Sequence, residues 1–139
     1  MPDPSNPYFQ LFLEVGIINQ IATTLLEARL PEGLLTSHFG VVSHLIRVKN
    51  GYTPLELANA FQVPKTTMTH TLSGLQLHGL VEMRPNPDDK RSKQVWLTDA
   101  GAEFRDDMLV QMSPVFAELS ERFPEDRAEL MLPDLSDFR

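Results

Sequence analysis

Residues 65–97 read KTTMTHTLSGLQLHGLVEMRPNPDDKRSKQVWL, and this stretch decides the fold. It begins with a helical period in which Met68, Leu72 and Leu75 recur at three- and four-residue steps. Gly79 favours a stop, and residues 80–84 then have the composition of a strand. A polar loop over residues 85–92 and a second strand over residues 94–97 complete a hairpin. The stretch therefore predicts a helix that leads directly into a two-stranded hairpin.

A short helix is predicted immediately before this stretch. Thr53 can cap it, Pro54 suits its first turn, and Glu56 can reach back to the Thr53 amide. It is expected to end near Phe61, and residues 62–64 then form a tight link to the helix at residues 65–78. Two short helices followed by a hairpin are typical of a winged helix-turn-helix.

Two helices are predicted on the N-terminal side of this lobe. The first begins at Pro7 and is about 20 residues long, with boundaries good to a few residues. The second is expected to be capped by Thr36 and closed by Asn50 and Gly51, which tolerate the left-handed conformation of a helix end.

Two more helical segments are predicted on the C-terminal side. Thr98 caps a fifth helix, which Pro114 is expected to kink or break. A last short helical piece follows Pro124 and is expected to end at Pro133. The chain is thus predicted to be one mainly α (α+β) domain over residues 1–139. Its winged-helix lobe would cover about residues 34–98, and its helical region about residues 8–30 and 99–139.

The composition and motifs exclude several classes of function. The chain has no cysteine, which removes disulfides, thiol nucleophiles and Cys-based zinc sites. It carries no nucleophile–base signature, Gly-rich phosphate loop or metal motif, so neither an enzyme nor a cofactor is expected. The four histidines are not spaced i, i+4, so no metal site is expected; they are His38, His44, His70 and His78.

The N-terminal segment predicts where the protein works. Residues 1–7 are polar and Pro-rich and lack the pattern of a secretory signal. No apolar run is expected to approach the roughly 20 residues that span a bilayer. A cytoplasmic protein without a membrane partner is therefore expected.

The charge is distributed unevenly along the chain. The formal net charge is −7, which argues against a nucleic-acid partner. Residues 65–97, however, hold five basic and three acidic residues, a net of +2. Residues 98–139 hold eleven acidic and four basic residues, a net of −7. The local positive charge keeps a nucleic-acid partner open for the helix and hairpin.

The helix at residues 65–78 is rich in short polar side chains. Threonine is a poor helix former, so a sequence selected only for helix stability would not use it repeatedly. A helix fits the major groove of B-DNA, whose width is about 12 Å. We therefore interpret six residues as candidate contacts to the major groove and phosphates: Lys65, Thr66, Thr67, Thr69, His70 and Thr71.

The hairpin loop supplies a second set of candidate DNA contacts. A basic hairpin tip can place an arginine in a narrow minor groove, where the negative potential is concentrated. Arg91 is the candidate for this contact, and Asp89 could hold its guanidinium by a charge-assisted hydrogen bond. Arg84, Lys90 and Lys93 are candidate phosphate contacts.

Five segments follow one another in an order that is typical of one known family: Leu35–Phe39, Thr53–Ala58, Leu75 with His78–Val81, Arg84 with Asp89–Ser92, and Leu97–Gly101. On these segments, over about residues 8–125, the chain resembles the MarR family. The resemblance implies a homodimer joined by its N- and C-terminal helices, a fourth helix in the major groove, and Arg91 as the wing arginine with Asp89 as its partner. It also implies that a small aromatic or phenolic ligand releases the DNA. A two-fold dimer would bind double-stranded DNA at a pseudo-palindromic operator, and we expect it to act as a repressor.

Two features depart from the family pattern. Many relatives have arginine where this chain has His70, so the contact chemistry is expected to differ. The chain stops at Phe138 and Arg139, where relatives often continue, so the last dimer helix is either short or truncated. The alternative function is a winged-helix protein-interaction module without DNA binding, which the net charge of −7 favours and the basic wing opposes.

Overall fold

The computed structural model describes all 139 residues as six helices and one two-stranded sheet. The elements in chain order are α1 (Pro7–Glu27), α2 (Thr36–Arg47), α3 (Pro54–Phe61), α4 (Lys65–Leu77), β1 (Val81–Pro85), β2 (Lys93–Leu97), α5 (Asp99–Arg122) and α6 (Glu125–Phe138). This is an α+β winged helix, as the sequence predicts.

The hydrophobic core lies within the winged-helix lobe and extends onto α5. Its fully buried side chains include Leu45 of α2, Leu57 of α3, Leu75 of α4 and Val95 of β2. Met68 and Leu72 are also buried, so the inward face predicted for α4 is confirmed. Met108 carries the core onto α5. The core therefore fixes α4 and the hairpin to a common support.

The helix starts follow local capping chemistry, with one correction. Thr53 Oγ1 accepts the Glu56 N–H and Glu56 Oε1 accepts the Thr53 N–H, both at 3.1 Å, so the predicted capping box is confirmed. Thr98 Oγ1 accepts the Gly101 N–H at 3.1 Å, as predicted for α5. The prediction that Thr36 caps α2 is wrong. Thr36 is the first helical residue, and the imidazole of His38 accepts the Leu35 N–H through Nδ1 at 2.8 Å.

Two prolines lie inside helices that they were expected to break. Helix α5 continues through Pro114, whose ring removes the donor for the Val110 carbonyl. The Ser113 hydroxyl donates to that carbonyl at 2.7 Å and so replaces the missing bond. Helix α6 likewise continues through Pro133, on an exposed helix where water can satisfy the freed carbonyl.

Asn50 and Gly51 belong to a loop that binds the hairpin, since α2 already ends at Arg47. The Gly51 N–H donates to the Val95 carbonyl at 3.0 Å, and the Val95 N–H donates to the Tyr52 carbonyl at 2.7 Å. Asn50 Oδ1 accepts the Leu97 N–H at 2.9 Å. These bonds join β2 to the loop between α2 and α3.

Helix α1 is apolar over a longer stretch than was predicted from the sequence. It has 21 residues, a mean hydropathy of 1.4 over its most apolar window of 18, and no buried residue. By length and composition it could cross a membrane. The expectation that no segment approaches such a span is therefore wrong, because interspersed polar residues such as Asn19 and Gln20 do not offset the apolar majority, which includes aromatic side chains.

Candidate nucleic-acid interface

Helix α4 presents one polar face to solvent. The exposed side chains on it are Lys65, Thr66, Thr67, Thr69 and His70. Thr71 was predicted to join them, but its side chain is only 7% exposed and lies in the core. Its hydroxyl donates to the Thr67 carbonyl at 3.1 Å. Thr71 is therefore a structural residue of α4 and is removed from the candidate contacts.

The hydroxyls on this face differ in their freedom to bind a ligand. Thr69 Oγ1 donates to the Lys65 carbonyl at 2.9 Å, so it can offer only its lone pairs outward. The Thr66 and Thr67 hydroxyls make no hydrogen bond within the chain, so they can both donate and accept. Pro64 precedes α4 without a side-chain cap, which leaves backbone N–H groups beside Lys65 for solvent or a phosphate.

The turn before α4 depends on one left-handed residue. Gln62 has a φ of 54° and is the only non-glycine residue with positive φ. Its side-chain amide donates to the Asn59 carbonyl at 2.6 Å. The Val63 N–H donates to the Ala58 carbonyl at 3.0 Å. This turn sets the angle at which α4 leaves α3.

The wing tip is shaped by Asp89. Asp89 Oδ1 accepts the Arg91 backbone N–H at 2.9 Å, and Arg91 Nε lies 3.4 Å from the same oxygen. The shorter bond involves the backbone, so Asp89 fixes the turn more firmly than it holds the guanidinium. The Arg91 side chain is 92% exposed and is free to enter a groove.

An open groove of about 600 Å³ separates the wing from the starts of α3 and α4. Its polar lining includes Asp89, Arg91 and Lys93 on the wing side, and Thr53 and Lys65 at the starts of α3 and α4. Lys65 and Lys93 thus line one groove although they are 28 positions apart in sequence. Lys90 does not line the groove and extends from the exposed tip instead.

Arg84 is engaged within the hairpin. Its Nε and Nη2 both lie 2.6 Å from Glu82 Oε1, and its Cζ lies 4.5 Å from the centre of the Trp96 ring. A guanidinium held on two sides is a poor candidate for a phosphate contact. The structure therefore argues against the phosphate role predicted for Arg84.

Sequence reasoning missed the partners of Arg84 and the role of Asn50. Glu82 with Arg84, and Gln94 with Trp96, are each spaced by two residues within a strand, which is the signal of a shared hairpin face. Asn50 gives no such signal, because its partner Leu97 lies 47 residues away.

His38 joins α2 to α4 at a close approach. It is 7% exposed, and a Cβ added at Gly74 would lie 2.6 Å from its Nε2. Burial lowers the pKa of His38 below 6.5, and the nearby His78 and His70 lower it further. The neutral imidazole is therefore the form that accepts the Leu35 N–H.

No group of three histidines or carboxylates is placed to hold a metal ion. A second cavity, of about 220 Å³, lies between α1, α2 and α5. All nine residues that line it are apolar, and they include Leu26, Phe39, Met112 and Phe116. This cavity suits the ring of a small aromatic molecule better than a charged group.

Comparisons with known proteins agree with the winged-helix class. A family model described as MarR family matches residues 32–92. The multiple antibiotic resistance protein MarR of Escherichia coli K12 is 36% identical over 89 residues, which cover 63% of this chain and 61% of that protein. The transcriptional activatory protein BadR of Rhodopseudomonas palustris is 29% identical over 96 residues, covering 68% of this chain and 53% of BadR. The matched segments thus span only about half to three fifths of these curated relatives.

Among solved structures, a mutant of E. coli MarR in complex with operator DNA has a TM-score of 0.77 and 27% sequence identity. The alignment covers 99% of this chain and 99% of that chain. The chain is thus similar to MarR family proteins in sequence over residues 32–92 and in fold over nearly its whole length.

Proposed function

We propose that this chain is a DNA-binding transcription regulator whose α4 enters the major groove while Arg91 enters the adjacent minor groove. The observation that carries the proposal is the exposed polar face of α4 beside a basic wing tip, on a fold shared with a MarR–operator complex. The candidate contacts on α4 are Lys65, Thr66, Thr67, Thr69 and His70, and those on the wing are Lys90, Arg91 and Lys93. Asp89 sets the conformation of the tip.

The proposed active form is a homodimer. In the single chain α1 exposes a series of large apolar residues, among them Phe12, Ile17 and Ile21. Helix α6 adds Leu132 and Leu135. Apolar surface on this scale is typical of a protein interface. A second copy would cover it, which also accounts for the hydropathy of α1 in a protein that acts on DNA in the cytoplasm.

A two-fold dimer implies a two-fold DNA site. Two copies of α4 would enter successive major grooves about 34 Å apart on one face of a pseudo-palindromic operator. Each half-site of the DNA would then receive the same contacts from one copy of α4 and one wing.

We further propose that the protein represses transcription and is released by a small aromatic or phenolic acid. The apolar cavity between α1, α2 and α5 supports a site for the ring. An inducer of this kind must bind the conformation that does not bind DNA more tightly than the one that does.

Selection of bound duplexes from a random pool tests the DNA-binding proposal. We expect the wild-type chain to enrich an inverted repeat, and the Arg91→Ala variant to bind the enriched duplex more weakly. Salicylate and benzoate, added at graded concentrations, should release the duplex, and a reporter under the selected operator should rise in the same conditions.

A winged-helix module that binds only protein is the alternative function, and the net charge of −7 is the observation that favours it. It would be supported if no duplex were enriched above the level obtained with unrelated acidic protein.

A further inference from the structure

Four polar or aromatic side chains share one face of the hairpin: Glu82 and Arg84 of β1, and Gln94 and Trp96 of β2. The antiparallel register sets Glu82 opposite Trp96 and Arg84 opposite Gln94. Alternate side chains of a strand lie on the same face, so these four form one layer. Val95 faces the other way, into the core.

Arg84 is restrained by two different contacts in this layer. One oxygen of Glu82 lies 2.6 Å from both Nε and Nη2 of the guanidinium. The guanidinium also lies over the Trp96 ring, with its Cζ 4.5 Å from the ring centre. Both charged side chains are about half exposed, at 50% and 51%, and an exposed ion pair alone contributes little. The added cation–π contact restricts the guanidinium to one position.

The Trp96 ring in turn lies against the loop between α2 and α3. A Cβ added at Gly51 would lie 2.8 Å from Cζ2 of Trp96, so only glycine allows this approach. Gly51 also has a φ of +85°, which favours glycine independently. Trp96 Nε1 donates to Gln94 Oε1 at 3.2 Å, which fixes the orientation of the ring.

An isolated two-stranded hairpin is marginally stable, so the direction of a wing depends on what holds its base. Here the backbone bonds of Gly51 and Tyr52 to Val95 hold the β2 edge. Arg84 and Trp96 hold the exposed face of the same hairpin. Together these contacts leave the wing little freedom to tilt relative to α2 and α3.

We propose that Arg84, Trp96 and Gly51 form a stack that fixes the wing angle and thereby positions Arg91 for the minor groove. In this proposal, which rests on the proposed DNA-binding function, Arg84 is a positioning residue and not a phosphate contact. The Arg84 stack acts through geometry, so its loss changes how well Arg91 binds and leaves the number of released counterions unchanged.

The first test compares Arg84→Lys with Arg84→Ala on the duplex that the wild-type chain enriches from a random pool. Lysine retains the positive charge but lacks the planar guanidinium, which stacks on the Trp96 ring and contacts one Glu82 oxygen through two nitrogens. We expect both variants to weaken binding about threefold to tenfold, the loss typical of one exposed ion pair plus one cation–π contact. The slope of log K against log salt should equal that of the wild type.

The opposite pattern would overturn the proposal. A phosphate contact predicts that Arg84→Lys binds like the wild type, while Arg84→Ala loses affinity and about one unit of salt slope. Wild-type affinity for both variants would also overturn it.

A double-mutant cycle with Arg91→Ala separates positioning from general stability. If Arg84 acts through Arg91, then Arg84→Ala should change the affinity of the Arg91→Ala protein less than about twofold. Fully additive losses would contradict the proposal. Circular dichroism and the melting temperature establish that each variant is folded.

The single tryptophan of the chain allows a measurement without DNA. Removing the guanidinium from its ring should raise quenching of Trp96 fluorescence by acrylamide, a neutral quencher that is insensitive to the lost charge, in both Arg84 variants. Unchanged quenching in both would show that the stack does not exist in solution. If the wild-type chain enriches no duplex, the proposed function fails, whereas the quenching result still decides whether the stack forms.

Discussion

Arg91 and Lys93 are both basic residues of the wing, but their surroundings predict different effects on DNA binding. Arg91 is almost fully exposed at a tip shaped by Asp89, whereas Lys93 begins β2 and lines the same groove as Lys65. A side chain that enters a groove contributes to affinity through its fit, and one beside a phosphate contributes mainly through counterion release.

Replacing Arg91 by alanine should weaken binding to the selected operator by about 1–3 kcal/mol. The loss arises because the guanidinium no longer reaches the minor groove. Gel-shift titration measures it, with Arg122→Ala as the matched control, since Arg122 is an exposed arginine at the end of α5 paired with Glu118. Equal affinity of Arg91→Ala and the wild type would remove Arg91 from the interface.

Replacing Lys93 by alanine should lower the salt slope of binding by about one. The measurement is a titration from low to moderate salt on the same duplex. Lys49 is a control, because it lies over the Tyr52 ring on the α2–α3 loop. A slope that does not change in Lys93→Ala would exclude a phosphate contact at this position.

Acid should destabilise the fold through His38. The pKa of His38 in the folded chain lies below 6.5, so the unfolded chain takes up the proton more readily. The contribution to the free energy of unfolding is therefore fully present above pH 6.5 and declines as the pH falls below it. The comparison is urea unfolding of wild type and His38→Gln between pH 7.5 and 5, and the wild type should lose more stability. Parallel losses in the two proteins would contradict this role of His38.

At the scale of the elements, helix ends and helix breaks follow from particular hydrogen bonds. Thr53 caps α3, whereas Thr36 does not cap α2, because Thr36 is already the first helical residue and Leu35 holds the N-cap position. Pro114 does not break α5 because the Ser113 hydroxyl supplies the missing donor.

The two threonines therefore form a matched pair of variants. Thr53→Ala should lower the free energy of unfolding by about 1 kcal/mol, since the Glu56 N–H loses its acceptor. Thr36→Ala should change it much less, because the Thr36 hydroxyl has only a 3.4 Å contact with Glu27. Chemical denaturation measures both, and equal losses would show that the assignment of the two caps is wrong.

The order of the elements could be predicted from the sequence because periodicity and turn residues are local signals. Residues 53–56 carry the signals of a helix start, and residues 65–79 carry the period and the stop of a helix. The structure has a helix at each of these places. What could not be predicted depends on contacts between distant positions. The burial of Thr71 depends on how α4 turns against the core, and the Asn50–Leu97 bond joins residues 47 positions apart.

At the scale of the whole molecule, the core and the apolar exterior lie in different places. The buried residues lie between Leu34 and Met112, and neither α1 nor α6 has a buried residue in the single chain. Phe138 of α6 does contact α1, where its ring lies 5.7 Å from that of Phe12 and 6.5 Å from that of Tyr8. The two terminal helices thus form a joint surface whose remaining apolar side chains lack cover.

A charged residue in this surface should separate the proposed dimer. We expect light scattering to give twice the chain mass of 15.7 kDa for the wild type and a single chain for Ile17→Asp. Leu77→Asp is the control, because Leu77 is a strongly exposed leucine at the end of α4 and outside this surface. A wild-type protein that runs as a single chain at micromolar concentration would contradict the dimer.

In the proposed dimer, where α1 is buried only by a second copy, the protein would have no fixed melting temperature. Stability that is gained only when two chains meet depends on how many chains are present, so dilution alone should lower the melting temperature. A newly made chain that has not met a partner exposes its aliphatic helix to proteases and chaperones. Abundance and survival would then be linked, because scarce chains would be degraded faster than abundant ones.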